Sequence, residues 1–175
     1  MLKNTAAAYG SVTKIFHWLI FILLFGMIIF GFLLSNIPKD YQPVAYNIHK
    51  LIGLSILVLM ILRLLWTLSN PKPAVPRDTP AWQQWAERFV HYSLYAVVLA
   101  MPISGWIGSS SAGKPPHLGD IAFGLPIEKN KELITTSFSV HEILAFVIIG
   151  LVCVHVGAAL YHQFIKKDNV LQRMM

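Results

Sequence analysis

Four long apolar stretches, separated by polar segments, dominate the pattern of side chains along this chain. They occupy residues 15–34, 51–68, 89–108 and 143–164, and only the second contains a formal charge, Arg63. A helix needs about 20 apolar residues to cross the hydrocarbon core of a bilayer. None of the stretches alternates with a period of two, which disfavours a membrane β-barrel. The pattern therefore predicts four membrane-spanning α-helices.

The predicted fold is an all-α integral membrane four-helix bundle, built from a single domain that covers residues 1–175. The spans are expected at about 12–34, 47–68, 86–108 and 138–165, each close to the length that crosses a bilayer. The segments between the second and third spans and between the third and fourth are rich in Pro, Gly and Ser, so both are expected to be loops.

The composition excludes several classes of protein. Hydrophobic residues make up 55% of the chain and charged residues 13%, and the mean hydropathy is +0.59. Soluble domains carry about 25% charged residues, so neither a water-soluble enzyme nor a disordered chain fits. The single cysteine excludes a disulfide framework and any zinc or iron–sulfur site built from several thiolates.

The net charge of +6 is distributed unevenly between the two sides of the predicted bundle. The side with both termini carries nine Lys and Arg and three acidic residues, whereas the other side carries five of each. Positive residues concentrate on the cytoplasmic side of membrane proteins. We therefore expect both termini in the cytoplasm, and the basic charge gives no support to nucleic-acid binding.

Histidines are the most informative polar residues. The chain has seven, of which five lie in or at the edge of a span: His17, His49, His91, His141 and His155. Polar side chains within a bilayer are costly and usually mark function. A single histidine in a membrane helix more often makes a hydrogen bond between helices than binds a ligand. Several histidines at matching depths indicate something more specific.

His141 and His155 lie fourteen residues apart on the fourth span. Fourteen helical residues turn to within about 40° of four full turns and rise about 21 Å. Both imidazoles therefore face nearly the same side of the helix, one toward each face of the membrane. Two metal centres stacked across a bilayer need such an arrangement, whereas a single zinc site needs ligands that converge on one ion.

Each of these histidines needs a partner at the same depth on another helix. At the outer level His49, at the start of the second span, matches His141. At the inner level His17 and His91 both match His155, because each lies seventeen residues from the outer end of its span. A haem iron has two axial positions, and spacing alone does not choose between His17 and His91.

Paired imidazoles on the helices of a four-helix bundle are typical of low-spin b-type haem, and they favour electron transfer over oxygen binding. The spans lack the carboxylates that a di-iron site or a cation transporter would need. Arg63, fourteen residues after His49, is expected at the inner level, where it would pair with a haem propionate. The alternative for Arg63 is an ordinary snorkelling side chain at the end of a span.

The sequence resembles the bacterial cytochrome b561 family of small dihaem membrane proteins, nearly from end to end. The matching residues are Phe16-His17-Trp18, Asn47-Ile48-His49 with Gly53 and Arg63, His91 before Pro102, Ser139-Val140-His141-Glu142, His155, His162, Lys167-Asp168-Asn169 and Arg173-Met174.

The resemblance implies two haem b groups in the bundle core. His17 and His155 would ligate the inner haem iron, His49 and His141 would ligate the outer one, and His91 would be left over beside the inner haem. It also implies the bacterial inner membrane as the location.

The resemblance further implies superoxide oxidation, in which the outer haem takes an electron from superoxide and the inner haem passes electrons to ubiquinone. His91 and His162 would lie near this quinone. Superoxide is an anion, and a positive surface would attract it. Lys50 and Lys114 are the expected source of such a surface on the outer side, which has no net charge overall.

The sequence thus predicts an electron-transfer cytochrome in contact with lipid and ubiquinone, most specifically a superoxide:ubiquinone oxidoreductase, as a monomer or weak homo-oligomer. The alternative is a haem-bearing membrane anchor that takes electrons from a redox protein, as a subunit of a hydrogenase- or dehydrogenase-type complex. A histidine-lined metal transporter without haem is a third and weaker alternative, because mid-membrane carboxylates are missing.

Overall fold

The computed structural model describes residues 1–6, 8–74, 79–168 and 171–174. Arg77 and Asp78, which enter the charge count, and Asn169 of the matching C-terminal motif lie outside the described residues. The long helices are α1 (Ser11–Leu33), α2 (Gln42–Leu68), α3 (Ala81–Ser111) and α4 (Lys131–Tyr161). The short elements are 3-10 turns at Leu34–Asn36 and Leu171–Arg173, a π-helical turn at His162–Lys166, and strands β1 (His117–Leu118) and β2 (Ile121–Ala122).

All four long helices are long and apolar enough to cross a membrane, which confirms the predicted all-α four-helix membrane bundle. Helices α2, α3 and α4 begin five, five and seven residues before the predicted spans. Hydropathy reports only the apolar part of a helix, whereas local start signals set its first turn. Pro43 lies in the first turn of α2, Pro80 precedes α3, and the Asn130 side chain accepts the amide of Leu133 at the start of α4.

The buried core lies in the middle of the bundle and draws residues from all four helices. Its most buried members are Ile20, Ile56, Met60, Val98 and Ile148, and Ile148 is 0% exposed. Branched and unbranched aliphatic side chains of this kind pack closely and leave few voids that water could enter. The core therefore forms an apolar layer across the centre of the membrane.

One end of the bundle holds both termini and the α2–α3 connection, and we call it the terminal end. Asn4 Nδ2 donates to the Pro71 carbonyl (3.1 Å), which ties the N-terminal segment to that connection. Trp18 Nε1 donates to the Met174 carbonyl (2.7 Å), which ties the C-terminal segment to α1. These contacts hold three separate parts of the chain together over one end of the bundle.

The opposite end, which we call the loop end, is covered by the α3–α4 connection. Strands β1 and β2 form an antiparallel hairpin there, with His117 opposite Ala122. The Asn47 side chain clamps this hairpin to α2, because its Nδ2 donates to the His117 carbonyl (2.8 Å) and its Oδ1 accepts the His117 amide (2.9 Å). The clamp holds the connection over the start of α2.

Replacing Asn4 by alanine is expected to destabilise the terminal end. Its Oδ1 accepts hydrogen bonds from the Gly10 amide (2.9 Å) and the Thr13 hydroxyl (2.7 Å), and the residue is only 8% exposed. Loss of these bonds should lower the free energy of unfolding by about 2 kcal/mol. Thermal unfolding in detergent measures this as a lower Tm. Lys3→Ala, at the exposed neighbouring position, is the control, and equal Tm values for the two variants would contradict the prediction.

Candidate functional site

Each helix carries a row of residues spaced by seven, and these rows face the bundle interior. Seven helical residues turn to within about 20° of two full turns and rise about 10.5 Å, so such a row stays on one side. The rows are His17-Leu24-Gly31 in α1, His49-Ile56-Arg63 in α2, His91-Val98-Gly105 in α3 and His141-Ile148-His155-His162 in α4. Together they make a layer of histidines near each end of the bundle, with the apolar core between the two layers.

At the loop end, His49 and His141 face each other with their ring centroids 6.2 Å apart, and we call them the loop-level pair. The other two helices contribute glycines at this level. A Cβ atom on Gly31 would lie 3.3 Å from His49 Cε1, and one on Gly105 would lie 3.0 Å from His141 Nδ1. Any larger residue would push against an imidazole, so the glycines leave room for the two rings.

The orientation of His141 is set by hydrogen bonds from α3. Its Nδ1 lies 2.9 Å from the Met101 carbonyl and 3.3 Å from the Ser104 hydroxyl. Since a carbonyl only accepts, Nδ1 carries the proton and Nε2 keeps its lone pair for a metal. Metal-binding histidines are commonly oriented in this way. Pro102 directly follows Met101 inside α3. Because proline has no amide proton, it interrupts the hydrogen-bond pattern of the helix near this contact.

A cavity of about 1480 Å³ opens at the loop end and includes both imidazoles of the loop-level pair. Ligand pockets for drug-sized molecules span about 300–1,000 Å³, so this one admits a larger group. Its charged lining residues are Lys39, Lys50, Lys114, Asp120 and Glu142, which amount to one net positive charge. Lys50 Nζ donates to the Lys114 carbonyl (2.7 Å), so the two predicted steering residues are neighbours at this cavity.

At the terminal end, His17 and His155 have ring centroids 6.2 Å apart, and we call them the terminal-level pair. His91 is also at this level, with its ring centroid 5.1 Å from that of His155. Arg63 Nη2 lies 3.2 Å from His17 Nδ1, as expected from the spacing of Arg63 along α2. The structure therefore brings all four residues predicted for the inner level together.

The spacing of both pairs fits two imidazoles bound to one iron. Imidazole nitrogen binds a metal at about 2 Å, and ring bonds near 1.3 Å place each ring atom roughly 1.1 Å from its centroid. Two imidazoles that held one metal between them would thus have centroids about 6 Å apart. Both pairs match this value at 6.2 Å, whereas His91 and His155 are 1.1 Å closer than that.

Unpaired polar atoms occur at both levels. His49 Nδ1 and Arg63 Nε are buried and have no hydrogen-bond partner among the described residues. The Arg63 guanidinium also lies over the Tyr95 ring, 5.4 Å from its centroid. A buried polar group without a partner is costly unless a bound group satisfies it. The donors present thus fit a haem, with imidazoles for its iron and a guanidinium for a propionate carboxylate.

His162 lies seven residues beyond His155, in the π-helical turn at the end of α4. Its Nδ1 lies 2.5 Å from Asp168 Oδ2. By helical rise it is about 10 Å closer to the terminal end than His155, on the same side of the helix. The predicted quinone residue is therefore outside the histidine layer, next to the folded C-terminal segment.

His91 is about half exposed and lies 3.8 Å from the Glu87 carboxylate, one turn earlier on α3.

Tyr9, outside the membrane helices, is also at this end. Burial, and then the nearby Glu87 carboxylate, raise the pKa of Tyr9 above its usual range, so its hydroxyl stays protonated. Polar groups thus continue from the terminal level toward the terminal end.

Some contributors to the site were not predicted from the sequence, among them Gly105, the Met101 carbonyl and Asp168. A signal for Gly105 was present, because it follows His91 by fourteen residues, just as Gly31 follows His17. No comparable signal exists for the carbonyl, whereas Asp168 belongs to the matching C-terminal motif without any indication of its contact with His162. A backbone acceptor has no identity in the sequence, and the Asp168 contact depends on how the chain turns after α4.

Replacing Gly105 by alanine is expected to displace His141 and weaken binding of the haem expected at the loop level. The added methyl would lie 3.0 Å from His141 Nδ1, so the ring has to give by a few tenths of an ångström and its contact with the Met101 carbonyl is strained. Haem content per chain, from the reduced pyridine haemochrome spectrum, should fall below that of the parent, because ligand orientation strongly affects metal affinity. Gly150→Ala on α4, where nothing lies within 4 Å, is the control. Equal haem content in both variants would contradict the prediction.

Comparison with known proteins agrees with this geometry. Residues 8–175 match the family model described as prokaryotic cytochrome b561. Cytochrome b561 homolog 2 of Escherichia coli (strain K12) is 30% identical, over 98% of this chain and 93% of that protein. The probable superoxide oxidase CybB of Yersinia pestis is 34% identical, over 91% of this chain and 90% of that protein. Cytochrome b561 homolog 1 of Escherichia coli (strain K12) is 33% identical, over 73% of this chain and 72% of that protein.

The family match covers all four helices and both histidine layers, so it applies to the fold and the candidate site together. The relatives also align over most of their own length. This multi-pass bacterial membrane protein therefore belongs to the prokaryotic cytochrome b561 family, the membrane cytochromes that bind b-type haem and transfer electrons.

Proposed function

We propose that this protein is a dihaem cytochrome that moves electrons between the two ends of its bundle. The loop-level pair, His49 and His141, would hold one haem b, and the terminal-level pair, His17 and His155, would hold the other. The observation that carries this proposal is the equal 6.2 Å spacing of both pairs, which would let the two imidazoles of each pair hold one iron between them. His91, at 5.1 Å from His155, would remain a neighbour of the second haem rather than its ligand.

We place the loop end on the outer side of the bacterial inner membrane and the terminal end in the cytoplasm. The sequence assigns nine Lys and Arg to the side of the bundle with both termini and five to the other side, and this excess favours a cytoplasmic position for the terminal end. The large cavity would then open toward the periplasm. A small oxidisable molecule would reach the loop-level haem without crossing the membrane.

The electron donor in this proposal is superoxide, and the acceptor is ubiquinone. A bound haem supplies a reversible one-electron centre at each level. Two superoxide anions, one ubiquinone and two protons would give two oxygen molecules and one ubiquinol. The relative described as a probable superoxide oxidase is 34% identical to this chain, and its description supports the choice of donor.

The residues of the chain have separate parts in this reaction. Lys39, Lys50 and Lys114 line the cavity and would attract the anion toward the loop level. The apolar core, with Ile148 fully buried, keeps water from the region between the two levels. Arg63 would neutralise a propionate of the terminal-level haem. Protons for the quinone would enter at the terminal end, where His162 lies.

Haem counting tests the ligand assignment. The wild-type protein is expected to bind two low-spin b haems, and alanine at any of the four paired histidines should remove the haem of that level. His91→Ala should keep both haems, because its ring is too close to His155 for shared coordination. Reduced-minus-oxidised spectra with protein quantitation measure this. If His91→Ala lost a haem and His17→Ala kept both, then His91 rather than His17 would be the partner of His155.

Charge removal at the cavity tests the donor. Lys50→Gln keeps a hydrogen-bond donor for the Lys114 carbonyl but removes one of three ammonium groups. Its rate of haem reduction by superoxide should be about two- to threefold lower at low salt and should depend less on ionic strength. Stopped-flow absorbance measures the rate, and Lys3→Gln at the terminal end is the control.

The same measurement separates superoxide from a protein donor. Slow reduction by superoxide with no dependence on salt in the wild-type protein would argue against the superoxide proposal. It would favour the alternative of a haem-bearing anchor for a hydrogenase- or dehydrogenase-type complex, which should co-purify with a soluble redox protein.

A further inference from the structure

The end of α4 departs from an ordinary helix terminus. The chain widens into a π-helical turn over His162–Lys166, and Lys167 then adopts a left-handed conformation with φ 55°. This reversal brings Asp168 back over the turn, so that its carboxylate contacts His162 Nδ1 (2.5 Å) and its amide reaches the His162 carbonyl (3.3 Å). The two side chains are only 19% and 24% exposed.

A helix stop accounts for the left-handed residue and for the bond from the Asp168 amide to the His162 carbonyl, which is a common way to close a helix. It does not account for the side-chain contact between Asp168 and His162. Helices that end in a left-handed residue usually place glycine there, because that conformation carries a steric cost for a side chain. Lys167 takes the conformation despite this cost. Strained backbone and π-helical turns both concentrate at functional sites. The turn also leaves Gln163 Oε1 buried without a hydrogen-bond partner among the described residues.

The His162–Asp168 contact decides which ring nitrogen can exchange protons. An ionised carboxylate only accepts hydrogen bonds, so His162 donates from Nδ1, and Nε2 is the nitrogen that remains for a ligand. The Lys166 ammonium in the same turn is directed to Gln83 Oε1 on α3 (3.5 Å).

The unpaired carbonyl of Gln163, the residue next to His162, would supply a complementary acceptor. Protonated Nε2 donates to a carbonyl oxygen, whereas the Gln163 carbonyl accepts from a hydroxyl. A quinone presents a carbonyl oxygen, and its quinol presents a hydroxyl. Each ubiquinone takes two electrons and two protons, and His162 would deliver protons singly, with its own proton replaced each time from water at the terminal end.

We propose that Asp168 is a positioning residue for a quinone site at the end of α4, where it holds His162 with Nε2 directed to the quinone oxygen. The quinone identity rests on the proposed function, whereas the control of the His162 tautomer rests on the contact itself. His162 lies on the same side of α4 as His155, about 10 Å farther toward the terminal end by helical rise. A quinone there would lie next to the terminal level.

The test compares Asp168→Asn with the wild-type holoprotein in detergent. Anaerobically reduced protein is mixed with ubiquinone-1, and haem oxidation is followed at several quinone concentrations. The limiting rate should fall about tenfold or more, because proton transfer is impaired, while the half-saturating quinone concentration changes less than twofold. Asp168→Glu should restore most of the rate, and the Asp168→Asn, His162→Gln double variant should be no slower than His162→Gln.

Lys167→Gly is the control for the turn, because glycine adopts the left-handed conformation freely and should leave the rate unchanged. A second readout is independent of turnover. In protein with ¹⁵N-labelled histidine, the His162 signals, identified by their loss in His162→Gln, should move away from the Nδ1-protonated pattern in Asp168→Asn. The visible spectrum checks that haem content is the same in all variants.

The outcomes separate the two proposals. Unchanged His162 signals together with an unchanged limiting rate in Asp168→Asn would overturn the role of Asp168. A wild-type protein that ubiquinone-1 fails to oxidise would overturn the quinone acceptor, while the histidine signals would still show whether Asp168 controls the tautomer. A rate that falls equally in Asp168→Asn and Lys167→Gly, with unchanged histidine signals, would assign Asp168 to the turn alone and also overturn the proposal.

Discussion

An imidazole within a bilayer has to face the bundle interior, and the arrangement of this protein follows from that constraint. A side chain that carries two polar nitrogens is costly against lipid, so each helix rotates its histidines inward. A spacing of seven residues keeps successive members of a row on one side of a straight helix. Because all four helices use this spacing, their inward residues meet as layers of polar groups separated by an apolar core.

The two histidine layers differ in the groups that surround the imidazole rings. At the loop level, Gly31 and Gly105 lie against the two histidines, and their lack of side chains leaves room for the imidazole rings. At the terminal level, the same positions hold His17 and His91, and Arg63 adds a permanent charge close to the imidazoles. The first layer lies beside an open cavity, whereas the second faces a covered end of the bundle. This asymmetry suits a path in which electrons enter at one level and leave with protons at the other.

The covering of the terminal end depends on segments that are distant in the sequence. Hydrogen bonds join the N-terminal residues, the α2–α3 connection and the C-terminal segment. Trp18, which takes part in this network, directly follows His17, so the cover is linked to a residue of the terminal level. Changes in the cover can therefore reach the terminal-level pair, as well as the nearby His162–Asp168 contact.

The sequence by itself determined the four spans, the all-α bundle and the two histidine levels, because hydropathy and helical periodicity depend on local spacing. It also placed Arg63 at the level of His17, since both lie on straight helices of known rise. It left His17 and His91 equivalent as partners of His155. Their separations of 6.2 and 5.1 Å from that ring depend on how α1 and α3 rotate and tilt against α4, which only tertiary packing decides. The His141–Met101 and His162–Asp168 contacts have the same origin, because each joins groups whose approach is set by the folded chain rather than by their spacing.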